Sequence, residues 1–288
     1  MFKILRKKEL NPSVTLMDIE APLIAKKAKA GQFIIFRIDE EGERIPLTIA
    51  DTDKERGAVT IIFQKVGLST ELLAKKNEGE YILDFVGPLG APTELDGLKK
   101  VAVVGGGVGC AIAFPQAKTL FTDGREVDVI AGFRTKDLVI LEDEMRANST
   151  NYYIMTDDGS YGEKGFVTDK LKELIEAGNK YDAVIAIGPI PMMKFVSLTT
   201  KPYGIKTIVS LKPIMVDGTG MCGGCRVTVG GKIKFACVDG PEFDGHKVDF
   251  DLAMKRQQMY KTEEGRALLK IQEGDTHHGG CGNCGGEE

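Results

Sequence analysis

Three cysteines in the second half of the chain have the type and spacing to bind metal. Cys222 and Cys225 form a C-x2-C pair in "MVDGTGMCGGC", and Cys237 follows in "FACVDG". Thiolates are soft donors that take zinc or iron, and closed thiolate sites use four ligands. A fourth donor is therefore needed. Cys110 lies far upstream. Cys281 and Cys284 form a second C-x2-C pair in the tail "HHGGCGNCGG", beside His277 and His278. Those four tail residues could hold a zinc or iron of their own.

Other residues have the character of phosphate and flavin ligands. In "VVGGGVGCA" an apolar run passes into glycines and then into a helix-forming stretch. Glycines let backbone N–H groups approach phosphate oxygens, and a helix N-terminus favours negative charge. The G-x-G-x-x-G pattern is incomplete, because Cys110 stands at the last position, and no acidic residue ends the next strand, "VDVIAGF". A tight strand–helix turn is the plainer alternative. "AIGPIPMM" places Gly188 and Pro189 at a later strand end, where an open α/β sheet has its ligand crevice. Upstream, "ERIPLTIAD" sets Arg44, Pro46 and Thr48 on one strand, with Arg44 suited to a phosphate and Thr48 to a ring nitrogen. "VGLSTELL" puts Gly67, Ser69 and Thr70 at a helix start, a second anion site. Read singly, these are a surface arginine and a helix cap.

The elements that position these residues follow from texture. Residues 1–97 carry short β-branched runs, "GQFIIFRID", "AVTIIFQKVG" and "EYILDFVGPLG", separated by "DEEGE" and "DTDKERG". A small barrel is expected, with an open sandwich as the alternative. Residues 98–209 alternate strand and helix, from "VAVVGGG" to "PMMKFVSLT", and read as a parallel-sheet α/β domain. Residues 210–250 form a third unit dense in glycine and cysteine. Residues 251–274 are expected to be one C-terminal helix, and 275–288 a flexible tail of low complexity. A chain of 288 residues accommodates this division. Net charge is −4, so no nucleic-acid footprint is evident, and the longest apolar run, "VAVVGGGVGCAIAF", is too short and Gly-rich to span a bilayer. No apolar segment follows the basic start "MFKILRKKELNPS", so no signal peptide is read. With C-x-x-C pairs in such a chain, the expected location is the cytoplasm.

A barrel with an Arg-x-Pro-x-Thr strand and a Gly-x-Ser-Thr turn, followed by a nucleotide domain, is the layout of ferredoxin reductase-like flavoproteins. The chain resembles the FAD- and iron–sulfur-containing electron-transfer subunits of the dihydroorotate dehydrogenase B type. "RIPLTIAD", "GPLG", "GGGVG", "DDGSYGEKG", "GPIPMMK" and "ACVDGPEF" carry the resemblance, over about residues 1–260. Within that superfamily it is most similar to the small subunits of NADH-dependent reduced ferredoxin:NADP+ oxidoreductases, the bifurcating transhydrogenases, to which a sulfide dehydrogenase label is also applied.

The resemblance implies that Arg44, Pro46, Leu47 and Thr48 line FAD, that Gly67, Ser69 and Thr70 hold its pyrophosphate, and that Gly87, Pro88, Leu89 and Gly90 close the flavin site. It implies that Gly105, Gly106, Gly107 and Gly109 face NAD(H), with Asp157, Asp158 and Gly188 nearby. Cys110 takes a place where the family often has alanine and is read as a small packing residue. The family's cluster cysteines run C-x4-C-x2-C with a later C before "DGP". This chain lines up as Asp217, Cys222, Cys225 and Cys237, so the resemblance implies a [2Fe–2S] cluster with one oxygen ligand and three sulfurs. Zinc on the same donors, and Asp217 as a mere turn residue with Cys110 or a tail cysteine ligating instead, remain open at this point. The implied partner is a larger flavoprotein with two [4Fe–4S] clusters and a second FAD, which binds NADP(H) and through which ferredoxin is engaged. NADH is expected over NADPH, although Arg134 and Lys136 in "VIAGFRTKDL" could accept a 2′-phosphate. The alternatives are a dihydroorotate dehydrogenase B electron-transfer subunit, against which Asp217 counts, and a zinc-stabilised nucleotide-binding regulatory module.

Overall fold

The computed structural model describes residues 1–273. The tail residues His277, His278, Cys281 and Cys284 lie outside the described residues. Strands β1 (Phe2–Asn11), β2 (Val14–Glu20), β3 (Phe33–Arg37), β4 (Ile45–Asp53), β5 (Ala58–Gln64), β6 (Tyr81–Ile82) and β7 (Asp84–Leu89) make one sheet in the order β6-β1-β2-β5-β4-β3-β7. Every pairing in it is antiparallel. The two edges, β6 and β7, are consecutive in sequence. Only Leu83 separates them, and its N–H donates to the carbonyls of Arg37 and Ile38. The sheet thus curls into a nearly closed barrel rather than an open sandwich. Its interior is packed by Ile4, Met17, Ile34, Phe36, Ile61, Phe63 and Phe85, all buried. Helices α1 (Pro22–Lys27) and α2 (Leu68–Lys75) cover it.

The second layer system alternates as expected: β8 (Lys100–Gly106), α3 (Gly109–Thr122), β9 (Glu126–Phe133), α4 (Glu142–Ala147), β10 (Asn151–Thr156), β11 (Glu163–Lys164), α5 (Val167–Glu176), β12 (Ala183–Ile187), α6 (Ile190–Thr200) and β13 (Lys206–Ser210). The strands pair in the order β11-β10-β9-β8-β12-β13, all parallel. Strands covered on both faces must be apolar throughout, which explains the unbroken runs "VAVV" and "AVIAI". The order reverses between β8 and β12, so their C-terminal ends open a crevice. "GGGVG" follows one of these strands and "GPIP" the other.

In the third unit, β14 (Arg226–Val229) and β15 (Lys232–Phe235) form a hairpin. Gly230 and Gly231, at φ 59° and 74°, supply its two-residue turn, which needs positive φ at both positions. Strand β16 (Glu242–Asp244) then adds an antiparallel edge to β13. The expected single C-terminal helix is two helices, α7 (Phe250–Gln257) and α8 (Lys261–Glu273). A composition rich in helix formers does not reveal the break between them.

Candidate functional site

A cavity of about 870 Å³ opens at the switch point, a volume suited to a nucleotide-sized ligand. Gly106, Gly107, Gly109 and Gly188 line one wall, and Asn11, Ser13 and Gln64 of the barrel line the other. Gly107, at φ 56°, leaves open space where a side chain would project. Gly109 is needed for a different reason: a Cβ there would stand 2.3 Å from the Ile187 carbonyl oxygen, so α3 could not lie against β12. Gly105 does not line the cavity; it packs against Cys110, whose Sγ would be 2.7 Å from an added Cβ. Cys110 is fully buried, and burial pushes its thiol up to about 12. It is an inert packing residue in this setting.

Of the acidic pair after β10, Asp157 lines the cavity and Asp158 does not. The Asp158 carboxylate accepts from the N–H and hydroxyl of Ser160, which hold it below the usual carboxylate range. Arg134 also lines the cavity, whereas the Lys136 ammonium sits 5.3 Å from the centre of the Tyr161 ring. The barrel residues Asn11, Ser13 and Gln64 carried no sequence signal, because they come from a strand end and a turn with no motif.

The flavin-type residues fall on the barrel. Pro46, Leu47 and Thr48 pair with Ile35, Ile34 and Phe33, and the stretch Arg44–Thr48 is half-buried. Gly67 is the N-cap of α2, with no atom within 4 Å of where a Cβ would stand. The Thr70 hydroxyl accepts from the N–H groups of Val66 and Gly67 and donates to the Gly67 carbonyl, so it serves the helix start. The Ser69 hydroxyl donates to Glu43. Gly87, Pro88 and Leu89 end β7, and Gly90, at φ 77°, packs against Phe33 and Pro241.

Arg44 does something its motif did not announce. Its Nε donates to the carbonyl of Val216 at 2.7 Å, and an Nη to that of Asp217 at 3.4 Å. An added Cβ at Gly218 would meet Ile35 and Leu89. The cysteine loop therefore leans on the same end of the barrel as the Arg44–Thr48 strip.

Within that loop two of the four candidate donors stand together. Cys225 and Cys237, both buried, have their sulfurs 3.2 Å apart. Burial, reinforced by Cys225, pushes the Cys237 thiol up to about 12. Cys222 is exposed, and Asp217 is among the groups that act on its thiol. The Gly224 N–H, with those of Asp217 and Val216, pulls its thiol down. Gly224 N–H lies 3.5 Å from Cys222 Sγ, and Cys237 N–H 3.5 Å from Cys225 Sγ. N–H groups aimed at sulfur stabilise thiolate and tune an iron–sulfur centre. The Asp217 carboxylate accepts from the Thr219 hydroxyl and N–H and from Met221 N–H, all on Oδ2, and these bonds hold it below the usual range. A single tetrahedral ion needs its donors to converge. Among the described residues no three His, Cys, Asp or Glu side chains do so. Arg256 on α7, unmarked in the sequence, donates to the Gly224 carbonyl at 3.1 Å.

Comparison with known proteins bears on each part. Residues 212–249 match the iron–sulfur cluster binding domain of dihydroorotate dehydrogenase B, and residues 103–198 match the oxidoreductase NAD-binding domain. A Thermotoga maritima protein described as a dihydroorotate dehydrogenase B (NAD(+)) electron transfer subunit homolog is 48% identical over 262 residues, 91% of this chain and 92% of the relative. A solved structure of an NADH-dependent reduced ferredoxin-NADP oxidoreductase, described for its insights into flavin-based electron bifurcation, superposes with a TM-score of 0.90. It is 44% identical, with 94% of this chain and 98% of that one covered. The ferredoxin reductase of carbazole 1,9a-dioxygenase, 17% identical with a TM-score of 0.58 over 71% of this chain and 64% of that one, shares the fold alone.

Proposed function

The chain belongs to the dihydroorotate dehydrogenase B electron-transfer subunits and their homologues, and from that premise we propose that it is the small subunit of a bifurcating NADH-dependent reduced ferredoxin:NADP+ oxidoreductase. It is an oxidoreductase subunit of ferredoxin reductase-like fold that works with FAD, an iron–sulfur centre and NAD(H), alongside a partner subunit. The partner proposed is a larger flavoprotein with two [4Fe–4S] clusters and a second FAD, taking NADP(H) and ferredoxin. No helix among the described residues is long and apolar enough to cross a membrane. The proposed location is the cytoplasm, where thiol ligands stay reduced.

The observation that carries this reading is the Arg44 bridge. It places the loop of Cys222 and Cys225 against the barrel strand of Thr48, while the 870 Å³ cavity opens between the barrel and the nucleotide domain. When bound, the flavin supplies hydride acceptance and the cluster single-electron transfer. The strip Pro46–Thr48 and the turn Gly87–Gly90 would hold the isoalloxazine, and Gly67 with the N-terminus of α2 would receive the pyrophosphate. Gly106, Gly107, Gly109 and Gly188 would seat the nicotinamide nucleotide, with Asp157 facing its adenosine ribose. Asp217 and Cys222 would hold one iron of a [2Fe–2S] cluster, Cys225 and Cys237 the other. The exposed side of the loop carries Val216, Met221 and Val238, an apolar rim on which the partner would dock.

Purification from the native source tests this reading. The expected result is a flavin and iron–sulfur absorption spectrum and a co-purifying larger iron–sulfur flavoprotein. A colourless zinc protein, or association with a flavin mononucleotide dihydroorotate dehydrogenase, would overturn it.

A further inference from the structure

The carboxyl of Glu242, on β16, is sealed where the three units meet. Its Oε1 accepts from the Thr93 hydroxyl at 3.0 Å and from Gln116 Nε2 at 2.8 Å. Thr93 lies between the barrel and β8, Gln116 is fully buried on α3, and Glu242 belongs to the cysteine-bearing unit. Gly31, at φ 85°, makes room: an added Cβ would stand 2.3 Å from Thr93 Oγ1 and 3.1 Å from Glu242 Oε1. One step before Glu242, Pro241 packs on Gly90 of the turn that ends β7, and the Ala91 N–H donates to the Gly240 carbonyl at 2.7 Å.

Two atoms in this junction lack partners. Glu242 Oε2 and Gln116 Oε1 are both buried with no hydrogen bond. Both are acceptors if the carboxyl is ionised, and a sealed acceptor without a donor is costly. One proton resolves both. On Oε2 it makes the acid a donor to Gln116 Oε1, beside the Nε2–H bond already present, giving a reciprocal acid–amide pair. We propose that Glu242 is a neutral carboxylic acid paired in this way with Gln116, and that the pair is a positioning device. It holds α3, and through it the glycine loop seven residues earlier, against the turn of Gly90 and the cysteine-bearing unit.

The electrostatics agree. Burial raises the Glu242 carboxyl from its ordinary 4.5 to about 7, and only Gln116 and Thr93 oppose the rise. No charged group is among the influences on it. The nearby Glu94, Lys118 and Asp244 are paired with Lys206, Asp51 and Lys247. The folded value lies above the unfolded one. The pair's contribution is therefore complete below about 4.5 and is lost as pH rises through about 7.

Infrared spectroscopy of the holoprotein, difference-edited against Glu242→Gln, tests the protonation directly. The expected result is a protonated-carboxyl band at pH 6 that fades with a midpoint near or above 7. A carboxylate band already present at pH 6 would overturn the proposal. The Glu242→Gln side chain can form the same reciprocal pair without a titrating proton. Its melting temperature should match wild type at pH 6 and exceed it by about 3 °C or more at pH 8.5. The wild type's KM for NADH should rise as pH passes 7, and that rise should flatten in the same variant, with kcat for flavin reduction unmoved at pH 6. Melting and KM profiles parallel to wild type across the range would show that Glu242 is not the titrating group that fixes the junction.

Discussion

The nucleotide cavity and the cysteine loop are built in opposite ways. The cavity, as proposed, would bind its ligand chiefly through main chain. One wall is glycine, set by the close approach of α3 to β12, and side chains such as Asn11, Gln64, Arg134 and Asp157 complete the lining. The loop is a side-chain site. Its glycines, Gly218, Gly220 and Gly223 at φ 87°, 91° and 66°, fold the backbone back so that N–H groups face sulfur, but the four proposed donors are side chains. A main-chain site should tolerate most side-chain changes and fail when a glycine is filled. A side-chain site should fail one donor at a time.

Cys237→Ser probes that contrast most severely. Cys237 is buried with its sulfur 3.2 Å from that of Cys225, at the centre of the proposed donor set. Metal analysis and the visible spectrum should show loss of most of the iron–sulfur centre with flavin content unchanged. Retention of a full centre would mean that the donor pairs are assigned wrongly.

Gly109→Ala probes the other side. Its methyl would meet the Ile187 carbonyl oxygen and the Gly188 Cα, which backbone cannot yield easily. A stability loss of about 2 kcal/mol is expected by denaturant unfolding. A KM for NADH higher by on the order of tenfold should accompany it, as the crevice wall moves. Cluster content should stay normal. If the alanine variant unfolds and binds like wild type, the crevice is not set by this contact.

Asp157→Ser should have a smaller effect, because it alters selection alone. Asp157 faces the cavity with Arg134, while Lys136 is turned onto Tyr161 and Asp158 is committed to Ser160. A carboxylate repels a 2′-phosphate. Stopped-flow reduction of the flavin should therefore favour NADH in the wild type, and the serine variant should lose about tenfold of that preference, about 1.4 kcal/mol. Faster reduction of the wild type by NADPH would reverse the assignment and move the choice to Arg134.

The two regions also differ in how much of them the sequence discloses. The cavity's glycines stand directly after apolar strands, and local order is enough to find them. The cysteines are equally local. What holds the regions together is not. Arg44 meets the Val216 carbonyl across 172 residues, and a lone arginine on a strand reads as a phosphate ligand, not as a bridge. Glu242 meets Gln116 across 126 residues, with neither in a motif. Barrel closure at Leu83 is hidden because "EYILDFVGPLG" reads as one run, although its two halves pair with strands on opposite edges. Thr70 shows the converse. Its Gly-x-Ser-Thr turn reads as an anion site, yet its hydroxyl serves the start of α2.

The proposed ligand Asp217 is where the electron route through the loop can be tested. Its Oδ2 is taken up by Thr219 and Met221, and Oδ1 has no hydrogen bond among the described residues. Asp217→Ala in the reconstituted complex, followed anaerobically by stopped flow, is the most direct measurement. NADH should reduce the variant's FAD at the wild-type rate while the cluster is lost or labile and the partner subunit stays oxidised. Reduction of the partner at the wild-type rate, with a full and spectrally unchanged cluster, would contradict the account and leave Asp217 a turn residue.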